Sequence, residues 1–308
     1  MKAIIMDRHG GPDVLRYGDL PDPAPQPGQV LVDVHAASIN GADAKVLDGG
    51  AYHTITTFPY VLGRDFSGVV GALGTGVSDF KVGDAVFGVL TGGRDGTYQE
   101  KITEKASILC SKPDSLSHVD AAALALTGLT ALVAIEDTIK LKSGETILIQ
   151  GGAGGVAGFA IQLAKHIGAR VITTASAVNH AYVKSLGADQ VIDYAKEDFT
   201  QVVKDVDAVF ETVGGDVAMR SFSVVKPGGR AAFIASGAKA PASPRPDVQS
   251  LRPAVGRDRP HLERILHLHA TGAIRLPETR VFPLRDAVKA LRISEGRHFR
   301  GKLVLKVR

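Results

Sequence analysis

Apolar and polar residues change rhythm twice along the chain. Up to about Pro113, short apolar runs at residues 3–6, 30–36, 66–70 and 85–89 stand between closely spaced glycines and prolines, and the run at 30–36 alternates in character. That pattern predicts short strands forming a small barrel-like β domain. From Glu145 onward strands alternate with helical spacing. Residues 146–150 make a compact apolar strand, and Val156, Phe159, Ala160, Leu163, Ala164 and Ile167 then mark the buried stripe of a helix. Gly168 stands where a left-handed cap belongs, ahead of a second strand at 170–174. The unit repeats: a helix at 179–186, cap Gly187, strands at 190–193 and 207–211, and, after a Pro-Gly-Gly turn at 227–229, a strand at 230–235. Such alternation predicts a parallel, doubly wound sheet. Residues 236–260 are rich in proline, glycine and arginine and read as an irregular linker; helices at 261–270 and 284–293 and a strand at 302–307 follow.

Composition narrows the class. A chain of 308 residues, 44% hydrophobic and 22% charged, has the length for two globular domains and is neither disordered nor fibrous. Thirty-six Lys and Arg against 32 Asp and Glu give +4, a mild basicity spread along the chain. The single cysteine, Cys110, excludes an internal disulfide and a four-cysteine zinc cluster, and suits a reducing cytoplasm. Asp7 and Arg8 break the N-terminal apolar run too early for a secretion signal. The most apolar stretch, 121–135, is shorter than the ~20 residues a membrane span needs, so a buried helix is expected and no membrane partner.

The chemistry concentrates at 151–158. Gly152-Ala153-Gly154-Gly155-Val156-Ala157 fits G-x-G-x-x-G/A, directly after one strand, opening a helix and followed by a second strand. Glycine there permits a tight turn and lets the backbone approach a pyrophosphate, whose charge meets the unpaired N–H groups of the helix start. An enzyme using NAD would carry Asp or Glu about twenty residues on, at the end of the second strand. This chain has Thr173-Thr174-Ala175-Ser176-Ala177, with hydroxyls and no carboxylate to repel a 2′-phosphate, which points to NADPH; Arg170, His180 and Lys184 are the nearest bases in sequence. Ligands in such sheets bind at the carboxyl ends of the strands, which selects Thr174, Ser176, Tyr194, Val213, Gly214, Ile234, Ala235 and Ser236 beside Gly152, Gly154, Gly155 and Val156.

The order of domains, the run Asp120-Ala-Ala-Ala-Leu-Ala-Leu-Thr-Gly-Leu-Thr-Ala-Leu132, the glycine motif with Ala160-Ile-Gln-Leu-Ala-Lys165, Ser185-Leu-Gly-Ala-Asp189 and Gly301-Lys-Leu-Val-Leu305 together resemble the medium-chain dehydrogenase/reductase superfamily, and within it the zinc-independent quinone oxidoreductases. The resemblance covers essentially the whole chain. It implies an α/β protein: a GroES-like β-barrel catalytic domain over 1–119, a Rossmann doubly wound parallel-sheet domain over 120–250, and a return over 251–308 that completes the first. It also implies a cleft between the domains, a quinone or enone substrate and a homodimer. Zinc-dependent relatives carry a cysteine and a Gly-His-Glu motif where this chain has Ser38-Ile-Asn-Gly-Ala-Asp43 and Gly63-Arg-Asp-Phe-Ser-Gly68. Asn40 and Arg64 stand at the ligand positions, and an amide and a guanidinium do not suit zinc, so no metal is expected. His267, His269 and Glu263 do not change this, because histidines two apart on a helix point to different faces.

By the family's pattern Asn40, Asp43, Tyr52 and Arg64 line the substrate side, with Tyr52 the preferred hydroxyl donor and Asp43 alternatively a buried carboxylate pinning its loop. Thr127 matches a threonine near the nicotinamide and Tyr194 a tyrosine near the adenosine phosphate. Ala157 replaces a usual glycine, and Ala177 stands where some members hold the 2′-phosphate with lysine. Without a metal the acceptor must already be electrophilic, as quinones and α,β-unsaturated carbonyls are. A 2-enoyl-thioester reductase, or a nucleotide-binding protein of low turnover in the manner of the lens crystallins, are the alternatives. Arg245, Arg252, Arg257 and Arg259 form the densest basic stretch but lack interleaved aromatics, so nucleic acid is not the expected partner.

Overall fold

The computed structural model describes residues 1–50, 55, 57–91 and 95–308, which fall into two compact units. Unit 1 comprises Met1–Leu126, Arg257–Arg264 and Leu276–Arg308; unit 2 comprises Thr127–Gly256 and Ile265–Arg275. This differs from borders at 119/120 and 250/251. The first division falls inside one continuous helix, and Ile265–Arg275 is held by unit 2: Ile265 packs on Gly128, and the Arg275 N–H donates to Gln162 Oε1 at 2.8 Å.

In chain order unit 1 begins with β1 (Lys2–Met6), β2 (Leu15–Asp19), β3 (Gln29–Ser38), α1 (Gly41–Leu47), β4 (Tyr60–Val61), β5 (Asp65–Leu73), β6 (Ala85–Val89), β7 (Lys101–Lys105) and β8 (Cys110–Ser111), then enters α2 (His118–Leu132). A wider π-helical stretch, Val133–Ile139, extends α2; the combined segment is long and apolar enough to cross a membrane, but most of it is buried inside the protein. Unit 2 contains β9 (Thr146–Ile149), α3 (Gly155–Ile167), β10 (Arg170–Ala175), α4 (His180–Ser185), β11 (Gln190–Asp193), α5 (Phe199–Val202), β12 (Val206–Glu211), α6 (Asp216–Arg220), β13 (Val225–Phe233) and β14 (Gln249–Leu251). The remaining elements are α7 (Arg259–Ala270), β15 (Thr279–Pro283), α8 (Ala287–Glu295) and β16 (Lys302–Lys306).

Unit 1 holds a three-stranded sheet, β2-β1-β4, and a seven-stranded sheet in the order β15-β16-β3-β5-β6-β8, with β7 also on β3. Strand β3 is long enough to serve two neighbours on one edge: β7 pairs along Gln29 to Asp33 and β16 along Ala36 to Ser38. The antiparallel register Ala37↔Phe66 brings Ser38 beside Asp65, while Val304↔Ser38 brings the start of β16 to the same end of β3. Close approach is enforced at Gly68, where a Cβ would lie 2.1 Å from the Asp33 carbonyl oxygen. One core gathers Ile4, Met6, Leu47, Tyr98 and Leu291; another gathers Val32, Phe66, Val86 and Leu109.

Unit 2 carries a six-stranded, wholly parallel sheet in the order β11-β10-β9-β12-β13-β14. The expected Rossmann order reverses between β9 and β12, and the glycine turn leaves β9. Strand β13 begins earlier than the sequence pattern indicates. Val225 already pairs with Val206, and the Pro-Gly-Gly segment is absorbed by a register shift before Arg230 pairs with Ala208. The stretch read as an irregular linker contributes β14 as an edge strand, too short and polar to show periodicity.

Candidate active site

The turn after β9 is built by a small set of buried polar side chains. Thr174, the last residue but one of β10, is 3% exposed; its hydroxyl donates to Gln150 Oε1 at 2.7 Å and accepts from the Gly151 N–H at 3.0 Å. Gly151 adopts φ +74°, and the Gly152 N–H donates to the Thr174 carbonyl. A Cβ on Gly152 would lie 2.3 Å from Thr173 Oγ1, so only glycine fits. Gly154 is the N-cap of α3 and offers no side-chain acceptor, so the first-turn N–H groups of Gly155 and Val156 remain for an anion. Ala157 is buried. It replaces the usual glycine without distorting the helix.

The other carboxyl ends converge on the same edge of the sheet. Ala175 pairs with Asp193, so Ser176 and Tyr194 leave neighbouring strands side by side; Tyr194 is 55% exposed. The Ser176 hydroxyl accepts from Asn179 Nδ2 at 3.1 Å. Glu211, which the sequence reading did not single out, is wholly buried, and its Oε1 accepts from the Val213 and Gly214 N–H groups at 2.7 and 2.8 Å. It thereby fixes the loop after β12. Gly214, at φ +88°, lies against Ala235, and the Ile234 N–H bonds the Glu211 carbonyl. Ser236 donates to the Lys239 carbonyl. Thr127 on α2 is 1% exposed, and its hydroxyl finds no hydrogen-bond partner among the described residues, an orphaned donor of the kind a ligand amide would satisfy. Glycine cradle, uncapped helix start and orphaned hydroxyl together fit a dinucleotide. Thr174 works from behind, shaping the turn, because its hydroxyl is already engaged.

Of the four proposed substrate-side residues, unit 1 joins Asn40 and Asp43 in one hydrogen-bonded network and holds Arg64 buried against Tyr60; Tyr52 lies outside the described residues. Asn40 is the N-cap of α1. Its Nδ2 donates to the Ser38 carbonyl and to Asp65 Oδ2, both at 3.2 Å, while its Oδ1 accepts from Lys302 Nζ at 2.8 Å. Lys302 also donates to the Ile39 carbonyl at 2.7 Å. Asp65, at 0% exposure, accepts from the Ser38 N–H at 3.0 Å and the Ser38 hydroxyl at 2.7 Å. Burial raises the Asp65 carboxyl above its ordinary value against the pull of Lys302, and burial lowers the Lys302 ammonium. Asp43 accepts through Oδ2 from the Asn40 N–H at 2.8 Å and from the Tyr98 hydroxyl at 2.6 Å. It is thus a carboxylate that pins its own loop, and burial pushes it up to about 6. Arg64, 6% exposed, donates to the Tyr60 hydroxyl at 2.9 Å. Asp65, Tyr60, Tyr98 and Lys302 were missed because no short spacing links them. The one available signal was Asp65 inside the Gly-Arg-Asp segment.

A dinucleotide-binding α/β unit, joined in one chain to a β-rich unit with a buried polar site, defines a pyridine-nucleotide oxidoreductase. Residues 26–114 match the alcohol dehydrogenase GroES-like domain, and residues 186–305 match the zinc-binding dehydrogenase family. The chain is 33% identical over 316 residues to an NADPH-dependent alkenal/one oxidoreductase, chloroplastic, of Arabidopsis thaliana, covering 99% of this chain and 79% of that one. Among solved structures it is similar to the quinone oxidoreductase from Coxiella burnetii, at 36% identity and TM-score 0.91 over 100% of this chain and 99% of the other. It is also similar to Escherichia coli quinone oxidoreductase complexed with NADPH, at 28% identity and TM-score 0.91 over 100% of both chains. The chain belongs to the medium-chain dehydrogenase/reductase superfamily.

Zinc, which one of those family descriptions names, would need donors that these positions do not offer. Asn40 Oδ1 already holds an ammonium, and Arg64 presents a cation where an imidazole would be needed. Among the described residues no group of three His, Cys, Asp or Glu side chains is placed to hold a metal. The residues at these positions do not fit zinc.

Proposed function

We propose that this protein is an NADPH-dependent reductase of quinones or α,β-unsaturated carbonyls that works without a metal ion. The observation that carries the reading is the buried set Asn40, Asp65 and Lys302, in which a lysine ammonium takes the acceptor that a metal would have required. NADPH supplies the hydride. The chain's own residues bind and orient: Gly152, Gly154, Gly155 and Val156 give the turn and helix start for the pyrophosphate, Glu211 holds Val213 and Gly214 in place, and Thr127 offers its orphaned hydroxyl. Ser176 and Tyr194 stand where the adenosine end would lie. With no Lewis acid, the acceptor must delocalise the incoming charge itself, onto a phenolate or enolate oxygen that solvent can protonate. The similarity to an alkenal/one oxidoreductase and to quinone oxidoreductases supports this acceptor class.

The same reading extends to a cytoplasmic homodimer. It is supported by the lone Cys110, buried and with its thiol pushed up to about 11 by that burial, and by the family resemblance. Sedimentation of the purified chain tests the pairing. The functional test is consumption of NADPH absorbance with 1,4-benzoquinone or an enone in the presence of a chelator. Undiminished turnover is expected; activity abolished by the chelator and restored by zinc would overturn the metal-free reading.

A further inference from the structure

His9, in the connection between β1 and β2, is half-buried, and both of its ring nitrogens face backbone carbonyls. Nε2 lies 2.9 Å from the Ile55 oxygen and Nδ1 lies 3.3 Å from the Leu47 oxygen. The Gly10 N–H already donates to that Leu47 oxygen at 3.0 Å, so the ring N–H falls to Nε2 and donates to Ile55. The imidazole also stands edge-on to Phe58, with centroids 5.2 Å apart and planes at 83°. Gly49, at φ +76°, lies against the same ring: a Cβ there would be 3.2 Å from His9 Cγ.

Two adjacent residues, His9 and Gly10, thus hold the two carbonyls that bracket residues 48–54 in the sequence. Leu47 closes α1, the helix that Asn40 caps and that carries Asp43 in its first turn. Tyr52, itself outside the described residues, falls within the bracketed stretch of sequence. The side chains of Leu47 and Ile55 are buried in one core with Val46, Tyr60 and Tyr98, so that core already anchors both ends. What the imidazole adds is the direction of the Ile55 backbone, and hence of the chain that leads to it. Fixing that direction before a ligand arrives removes conformational freedom that binding would otherwise have to remove.

We propose that His9 is a positioning residue for the acceptor: its hydrogen bond to Ile55 orients the stretch that carries Tyr52, the expected hydroxyl donor to the acceptor oxygen. The inference rests on the reductase reading above and adds a residue to it. The probes are 1,4-benzoquinone and 4-phenyl-3-buten-2-one, each with NADPH. The variants are His9→Asn, whose amide reaches only the place of Nδ1, and His9→Gln, whose amide reaches the place of Nε2; neither adds bulk, and thermal melting checks folding. Losing the bond to Ile55 should raise the acceptor KM about fivefold in His9→Asn, with a smaller change in kcat and with NADPH affinity, read by fluorescence titration, held within about twofold. His9→Gln should recover most of that loss. In a Tyr52→Phe background the effect of His9→Asn should shrink below about twofold, because the hydroxyl that it positions is gone. An acceptor KM unmoved by His9→Asn overturns the proposal, as does an equal rise in His9→Gln, a matching loss of NADPH affinity, or an effect of full size in the Tyr52→Phe background. If the wild type reduces neither probe, the reductase reading fails and this inference falls with it.

Discussion

The substitution Asp43→Asn isolates one buried carboxyl and turns its environment into a measurable pH dependence. Asp43 is 2% exposed; its Oδ2 accepts from Tyr98 and from the Asn40 N–H, yet burial outweighs both bonds and lifts the carboxyl from 3.8 to about 6. In the window between these values the folded protein binds a proton that the unfolded chain has released. Stability therefore falls as pH rises through that window, levels off above the folded value, and loses this dependence below the unfolded one. A shift of roughly two units at ~1.36 kcal/mol each gives about 3 kcal/mol. The amide of the variant carries no proton equilibrium, so the difference in unfolding free energy, variant minus wild type, should climb by about that amount from pH ~3.5 to pH ~7. Urea unfolding of both proteins at closely spaced pH values, followed by far-ultraviolet circular dichroism, measures it, since titrations elsewhere cancel in the difference. Parallel curves, or a difference that shrinks as pH rises, would refute the assignment of Asp43 as a carboxyl whose burial dominates its hydrogen bonds.

The glycine turn allows binding to be separated from folding. In Gly154→Ala the nearest atom to the new Cβ is the Gly151 carbonyl oxygen at 3.4 Å, so the melting temperature should hold while NADPH affinity, read by fluorescence titration, drops at least about tenfold because a methyl group enters the pyrophosphate approach. Gly152→Ala instead meets Thr173 Oγ1 at 2.3 Å inside the sheet and should cost about 1–3 kcal/mol of stability; equal destabilisation by the two variants would contradict the cradle. Lys302→Met removes the ammonium from Asn40, Ile39 and the buried Asp65, and leaving that carboxyl without its cation should cost about 3–5 kcal/mol in urea unfolding. A loss below about 1 kcal/mol would show that the ammonium is not the partner that stabilises Asp65.

Individual residues show where local pattern was enough. Strand β9, the turn Gly152 to Gly155 and helix α3 were legible because a strand, a glycine bend and a helical stripe follow one another within one stretch of chain. Strands β7 and β15 were not, because each is short and half exposed, so alternation is diluted by charged residues at the sheet surface. Thr174 was legible as belonging to the nucleotide turn. That its hydroxyl is taken up by Gln150 and Gly151, and so shapes the turn from behind, needed the neighbouring strand.

Sequence by itself determined the parallel α/β unit, its glycine turn, the absence of a carboxylate after the second strand, and an amide and a guanidinium at the positions where zinc ligands were to be sought. Each is a property of residues near one another along the chain, where backbone geometry and side-chain type act directly. Tertiary structure alone decided what those positions do. Lys302 reaches Ile39 and Asn40 across 263 and 262 residues of chain, Tyr98 reaches Asp43 across 55, and Asp65 meets Ser38 through the register of two strands. Burial then sets the charge of each group, and burial is a property of the packed fold.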